Sequence, residues 1–209
     1  MKLVVLGKES IDQLKIWATE LFSNVSNNNV AQPVFNGHPL TPNHLGKLIE
    51  IRPVKELRRL EYTFALPPSL PHYRVKPSRY IAHLIGHEGR GSLLSLLKLK
   101  GWAISLSAYN SHFSPSFDLF KVSIDVTVAG MQNYTEISTL LFSFIKLLSD
   151  SEPIEWIYND CKSLAEFSFR FQEKQHQPSG YCSKLASSMQ IFPIEHAICG
   201  ESLLYYFLI

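Results

Sequence analysis

Two stretches of the chain alternate apolar and polar residues with period two. Leu60, Tyr62, Phe64 and Leu66 alternate with Arg59, Glu61, Thr63 and Ala65; Phe120, Val122, Ile124, Val126 and Val128 alternate with Lys121, Ser123, Asp125 and Thr127. Successive strand side chains point to opposite faces, so each stretch predicts a strand with one face on a core and a more polar face outward. Shorter runs at 3–6, 47–51 and 103–107 predict three more strands, the first a buried one.

Elsewhere the pattern is helical. Ser10 and Gln13 have capping-box spacing, and Leu14, Trp17, Ala18 and Leu21 then share a face. Pro77 and Ser78 open a helix through about Gly86. A glycine-rich break over 86–91 separates it from a second helix over 92–100, which Gly101 stops because glycine takes φ > 0 without a Cβ penalty. Ile137, Leu140, Leu141, Phe144 and Leu148 form one apolar stripe. Ser151 caps the next helix, with Pro153 in its first turn, and that helix runs to about Phe171. A further helix begins near Gly180 and stops before Pro193. The final SLLYYFLI predicts the start of another, and an end inside that run reads as a truncated product. The Asn- and Pro-rich stretch 23–43 reads as a loop joining parts of one unit. The order β-α-ββ-αα-ββ-ααα predicts an α+β fold: a mostly antiparallel sheet covered by helices, in a single domain over residues 1–209 truncated at one or both ends.

Composition narrows the function classes. Of 209 residues, 45% are hydrophobic and 18% charged, which supplies a core and excludes a disordered chain. Twenty Lys and Arg against 18 Asp and Glu leave +2, too small an excess for a nucleic-acid binder. No apolar run is long enough to span a bilayer, and the run after Met1 is too short for the core of a signal peptide. Cys161, Cys182 and Cys199 are an odd number without tight spacing. That pattern fits free thiols in a reducing compartment, with the cytoplasm as the expected location.

Candidate chemistry concentrates near residue 86. His83 and His87 stand four apart with Glu88 next, a spacing that puts two imidazoles on one helix face and lets them share a metal. The order H-L-I-G-H-E matches neither zinc-protease signature, and no third ligand is apparent; a metal hydrolase built on His83, His87 and Glu88 is therefore the weakest reading. The run GHEGRG over 86–91 lacks the Gly-Lys-Ser/Thr ending of a phosphate loop and follows a helix, so it reads as an interhelical turn. No G-x-S-x-G occurs, and Cys161 has no histidine partner in the sequence around it. The residues alone give an α+β domain with no complete catalytic set.

Four segments go further: MKLVVLGKESIDQL, FALPPSLPHYRVKPSRYIAHLIGHEGRGSLLSLLKLKGWA, EFSFRFQEK and FPIEHAICG. Together they resemble the pitrilysin/insulinase family of zinc metallopeptidases, in its insulysin- and nardilysin-like branch. The tract from His83 to Trp102 is the most specific, and the likeness covers nearly the whole chain. It corresponds to the second of the four homologous α+β domains of such enzymes. The resemblance implies that zinc is held by H-x-x-E-H and a distal Glu in the first domain; that motif is absent here. The chain is thus expected to carry no catalytic residue, no metal ligand and no cofactor of its own, zinc belonging to the missing catalytic domain.

The resemblance further implies a role beside that domain, completing the wall of a peptide-enclosing chamber, and an exosite for the N-terminal end of a bound peptide. The matching positions are His83, Gly86, Glu88, Leu106 and Ala108, the last a glycine in insulysin-like members. The expected partners are a peptide substrate and a homologous catalytic domain or full-length peptidase, with self-association through an exposed domain face, no nucleic acid and no membrane span. The alternative is a stand-alone peptide-binding or regulatory module that pairs with a full-length peptidase.

Overall fold

The computed structural model describes residues 1–31, 39–114, 116–174 and 177–207. Part of the expected 23–43 loop and the last two residues of the C-terminal run lie outside that set. The described residues contain helices α1 (Ile11–Phe22), α2 (Pro77–Ile85), α3 (Leu93–Leu99), α4 (Val128–Gln132), α5 (Tyr134–Ser149), α6 (Glu155–Arg170) and α7 (Pro178–Ile191), with strands β1 (Arg59–Leu66), β2 (Ala103–Ser114) and β3 (Phe117–Val126). The fold is α+β, as the alternation of element types predicts. The chain divides into two compact units, Met1–Val34 with Ser163–Leu203, and Phe35–Lys162 with Leu204–Ile209.

The second unit holds the sheet. Its strand order is β1-β3-β2, and both pairings are antiparallel. Phe64 stands opposite Phe120, and Leu106 opposite Ile124. The period of two in β3 appears as strict alternation of burial: Phe120, Val122, Ile124 and Val126 are buried, and Lys121, Ser123 and Asp125 turn to the other face. Leu94 and Leu97 from α3, Ile85 from α2, and Ile137 and Leu141 from α5 complete the core on the buried face. The outer face is polar and laced with charge. Arg59 Nε donates to Asp125 Oδ1 at 2.7 Å, Ser105 Oγ donates to Asp125 Oδ2 at 2.8 Å, and Lys121 Nζ donates to Glu61 Oε1 at 2.9 Å.

Several local signals act as expected. Ser10 Oγ accepts from the Gln13 N–H at the start of α1, and Ser92 Oγ accepts from the Ser95 N–H at the start of α3. Gly101 takes φ +70° just after α3. Other expectations fail. Residues 3–6 and 47–51 are not strands; among the described residues they pair with nothing. A strand exists by its ladder, because lone extended backbone leaves its N–H and C=O groups to water. Conversely β2 continues past Ser107 to Ser114, since pairing with β3 carries polar residues into the ladder. Ser151 does not cap α6: its hydroxyl donates back to Leu147 O at 2.7 Å, and α6 starts two residues after Pro153. Residues 203–207 form no helix.

The first unit contains α1, α7 and the second half of α6. Helix α1 buries no residue, and Ile11, Trp17 and Leu21 are exposed although the helix is amphipathic.

Candidate functional site

Helix α2 is fixed at several points within its unit. Pro77 stands in its first turn, Tyr80 is buried, and the Tyr80 hydroxyl accepts from the Ile154 N–H at 2.9 Å. Ile85 closes the other end into the core. Helix α2 thereby lies against β2, and the space between them is an open groove of about 440 Å³. Arg79, Ala82, His83 and Gly86 line one wall, Leu106, Ser107 and Ala108 the other, and His87 and Glu88 stand where the chain leaves the helix. The five residues singled out from the sequence, His83, Gly86, Glu88, Leu106 and Ala108, therefore line one groove.

Each residue has a distinct position there. Gly86 follows the last helical residue and donates its N–H to Ala82 O at 2.9 Å. A Cβ at residue 86 would stand 2.9 Å from Ala82 O, so it is the last turn of the helix itself that excludes a larger residue, while Ala108 N at 3.7 Å would be an ordinary contact. Leu106 is buried and part of the core; it supports the groove from below. Ser107 is exposed and Ala108 half-buried. β2 is an edge strand of the described sheet, hydrogen-bonded to β3 alone. Such an edge offers unpaired backbone groups to an extended chain. Glu88 is exposed, and the nearest ammonium, Lys98 Nζ, is 3.8 Å from its Oε2, an ion pair of little strength at such exposure.

Arg79, Ala82, His87 and Ser107 were not among the expected groove residues. Arg79 and His87 are four residues either side of His83, and Ser107 sits between two chosen positions; helical spacing and strand continuity were the signals for them. The His83 and His87 rings stand 6.3 Å apart, tilted by 44°. No group of three His, Cys, Asp or Glu side chains placed to hold a metal ion occurs among the described residues. Cys161 is buried on α6, and burial pushes its thiol up, with Arg79 opposing and Asp160 adding to the shift. A thiol so held is a poor nucleophile.

The family model described as "Peptidase M16 inactive domain" matches residues 1–164. The chain belongs to this family. Among individual M16 proteins, it is 40% identical over 203 residues to "Insulin-degrading enzyme-like 1, peroxisomal" of Arabidopsis thaliana, covering 97% of this chain and 21% of that protein. It is 40% identical over 207 residues to the insulin-degrading enzyme of Homo sapiens, covering 99% and 20%. It is likewise 40% identical over 206 residues to a "Nardilysin-like" protein of Arabidopsis thaliana, covering 96% and 20%. The chain thus spans about a fifth of the length of these M16 relatives. The crystal structure of pitrilysin superposes with a TM-score of 0.90 at 20% identity, over 97% of this chain and 22% of that one. The fold is therefore that of an M16 domain, and within the family the chain corresponds to an insulysin/nardilysin-like inactive domain. Among its described residues no helix is long and apolar enough to cross a membrane.

Proposed function

We propose that this chain is the single-domain, peptide-holding, non-catalytic part of an insulysin/nardilysin-like zinc metalloendopeptidase that works in the cytoplasm. The observation that carries the reading is the groove between α2 and β2, lined by His83, Gly86, Glu88, Leu106 and Ala108 beside an edge strand. An extended peptide pairs its backbone with β2, which gives affinity without demanding sequence. Glu88 holds the free α-ammonium, and His83 and Gly86 shape the pocket around the first residues. The polar outer face of the sheet, with its Arg59–Asp125 and Lys121–Glu61 pairs, suits a wall turned toward peptide and water. Zinc and the general base belong to a homologous catalytic domain, which is also the expected protein partner.

Once a bound peptide shields Glu88 from water, a charge-assisted hydrogen bond is worth about 1.5–3 kcal/mol, or about one to two powers of ten in affinity. Titration calorimetry with one peptide in free and N-acetylated form is the test. Acetylation is expected to weaken binding tenfold or more, and Glu88→Gln to make the chain indifferent to acetylation. Equal affinity for both forms with Glu88 intact would place the ammonium elsewhere. Dialysed protein is expected to hold no stoichiometric zinc and to cleave no fluorogenic peptide; one equivalent of zinc, lost on His83→Ala, refutes the non-catalytic reading.

A further inference from the structure

The groove carries a charge pattern that goes past anchoring an N-terminus. Its acidic lining residue is Glu88, at the end where the chain leaves α2; its other titratable lining residues, Arg79, His83 and His87, are all basic. They follow one another four residues apart. Four residues of helix advance about 6 Å. Two residues of an extended chain advance about 6.6 Å, and alternate side chains of that chain point the same way. For a peptide that runs along α2, the basic groups therefore repeat at nearly the step at which every second side chain meets this wall. His87 lies beyond the last helical residue, so the match is strict for Arg79 and His83 and approximate for His87.

We infer that the groove selects peptides with acidic side chains at alternate positions after a free N-terminus, the third residue meeting His83 and the fifth meeting Arg79. This rests on the reading of the groove as an N-terminal anchor and names the class of peptide it takes. The chemistry suits each position. A guanidinium such as that of Arg79 meets a carboxylate with paired N–H donors. An imidazole offers a ring N–H to a carboxylate, so His83 can donate to an acidic side chain.

The test uses hexapeptides with a free N-terminus and glutamate, glutamine or lysine at the third and fifth positions, titrated into the full chain. Glutamate is expected to bind about tenfold tighter than glutamine, and lysine weaker than either. The same substitutions at the second and fourth positions should change affinity by less than about twofold, since those side chains face away from α2. His83→Gln should erase the preference at the third position only, and Arg79→Gln that at the fifth only. Should Arg79→Gln unfold the chain, His83→Gln alone still decides the third position. Equal affinity for glutamate and glutamine at both positions, with acetylation still weakening binding, overturns the acidic selection and leaves the anchor standing. Acidic preference without sensitivity to acetylation refutes the anchor instead. A preference equal at odd and even positions refutes the alternate geometry, and binding of no peptide at all refutes both.

Discussion

Asp118 shows how much one side chain holds. Its carboxylate is fully buried, accepting from the Ser69 N–H at 2.9 Å, Asn110 Nδ2 at 3.0 Å and His112 Nδ1 at 2.6 Å. Burial pushes its pKa up, but the hydrogen bonds from Ser69, Asn110 and His112 outweigh burial and hold it below the ordinary carboxylate value. The sign follows. A depressed folded pKa contributes stability that is present above the unfolded value of about 3.9 and is lost as pH falls through the folded pKa. Asp118→Asn is expected to flatten this part of the acid limb of stability, measured by urea unfolding from pH 7 down to pH 2. Asp118→Ala leaves three donors facing an empty site, and a loss of about 3 kcal/mol is expected. Lys76 gives the opposite sign. It sits at φ +49° just before α2, a region that costs a side chain with a Cβ about 1 kcal/mol. Lys76→Gly is therefore expected to unfold a few degrees above Lys76→Ala, which loses the same side chain but keeps the Cβ.

Elements were legible where their partners lie within the described chain. β1 and β3 alternate in sequence and pair with each other; β3 buries the side that the pattern marks, and β1 half-buries its own. The stripe of α5 was equally clear: Ile137 and Leu141 are buried, and Leu140, Phe144 and Leu148 pack against them. Residues 3–6 and 47–51 have apolar side chains fit for strands, yet Leu6, Leu48, Ile49 and Ile51 stand exposed without a ladder. Propensity marked the segments, but a strand is a property of a pair. The groove was legible only through the family likeness, because His83 and Glu88 meet β2 across the fold; neither periodicity nor spacing relates them to Leu106. Junctions between elements can be tested singly. Thr127 Oγ1 accepts from the Gly130 N–H at 3.0 Å to cap α4 and donates to Gly101 O at 2.7 Å, tying the end of β3 to the turn after α3. Thr127→Ala removes both bonds. Chemical denaturation should show a loss of about 1–2 kcal/mol with an unchanged m-value, and Thr127→Ser should restore most of it.

At the scale of the whole molecule, the apolar surface is larger than an isolated chain tolerates easily. Leu48, Ile49, Ile51 and Val54 are 70% exposed or more, close together in the chain, with the polar Lys47 and Glu50 between or beside them. In the other unit, the Phe167 and Phe171 rings meet at 4.6 Å between centroids, tilted by 40°, while both stand mostly in water. Large apolar side chains this exposed and this close in the chain favour being covered, and an extended apolar segment without a ladder seeks another strand. The chain alone is therefore expected to self-associate. Light scattering over a hundredfold concentration range should show mass rising above 23.8 kDa, with strong binding of a hydrophobic dye at the dilute end. Ile49→Lys with Ile51→Lys should shift the distribution back toward monomer, because charge on these exposed positions opposes apolar association. Both positions are exposed, so the double variant should unfold at the same denaturant concentration as the parent; a matched midpoint separates lost association from lost folding. A chain that stays monomeric with low dye binding at every concentration would mean that these residues are simply tolerated in water.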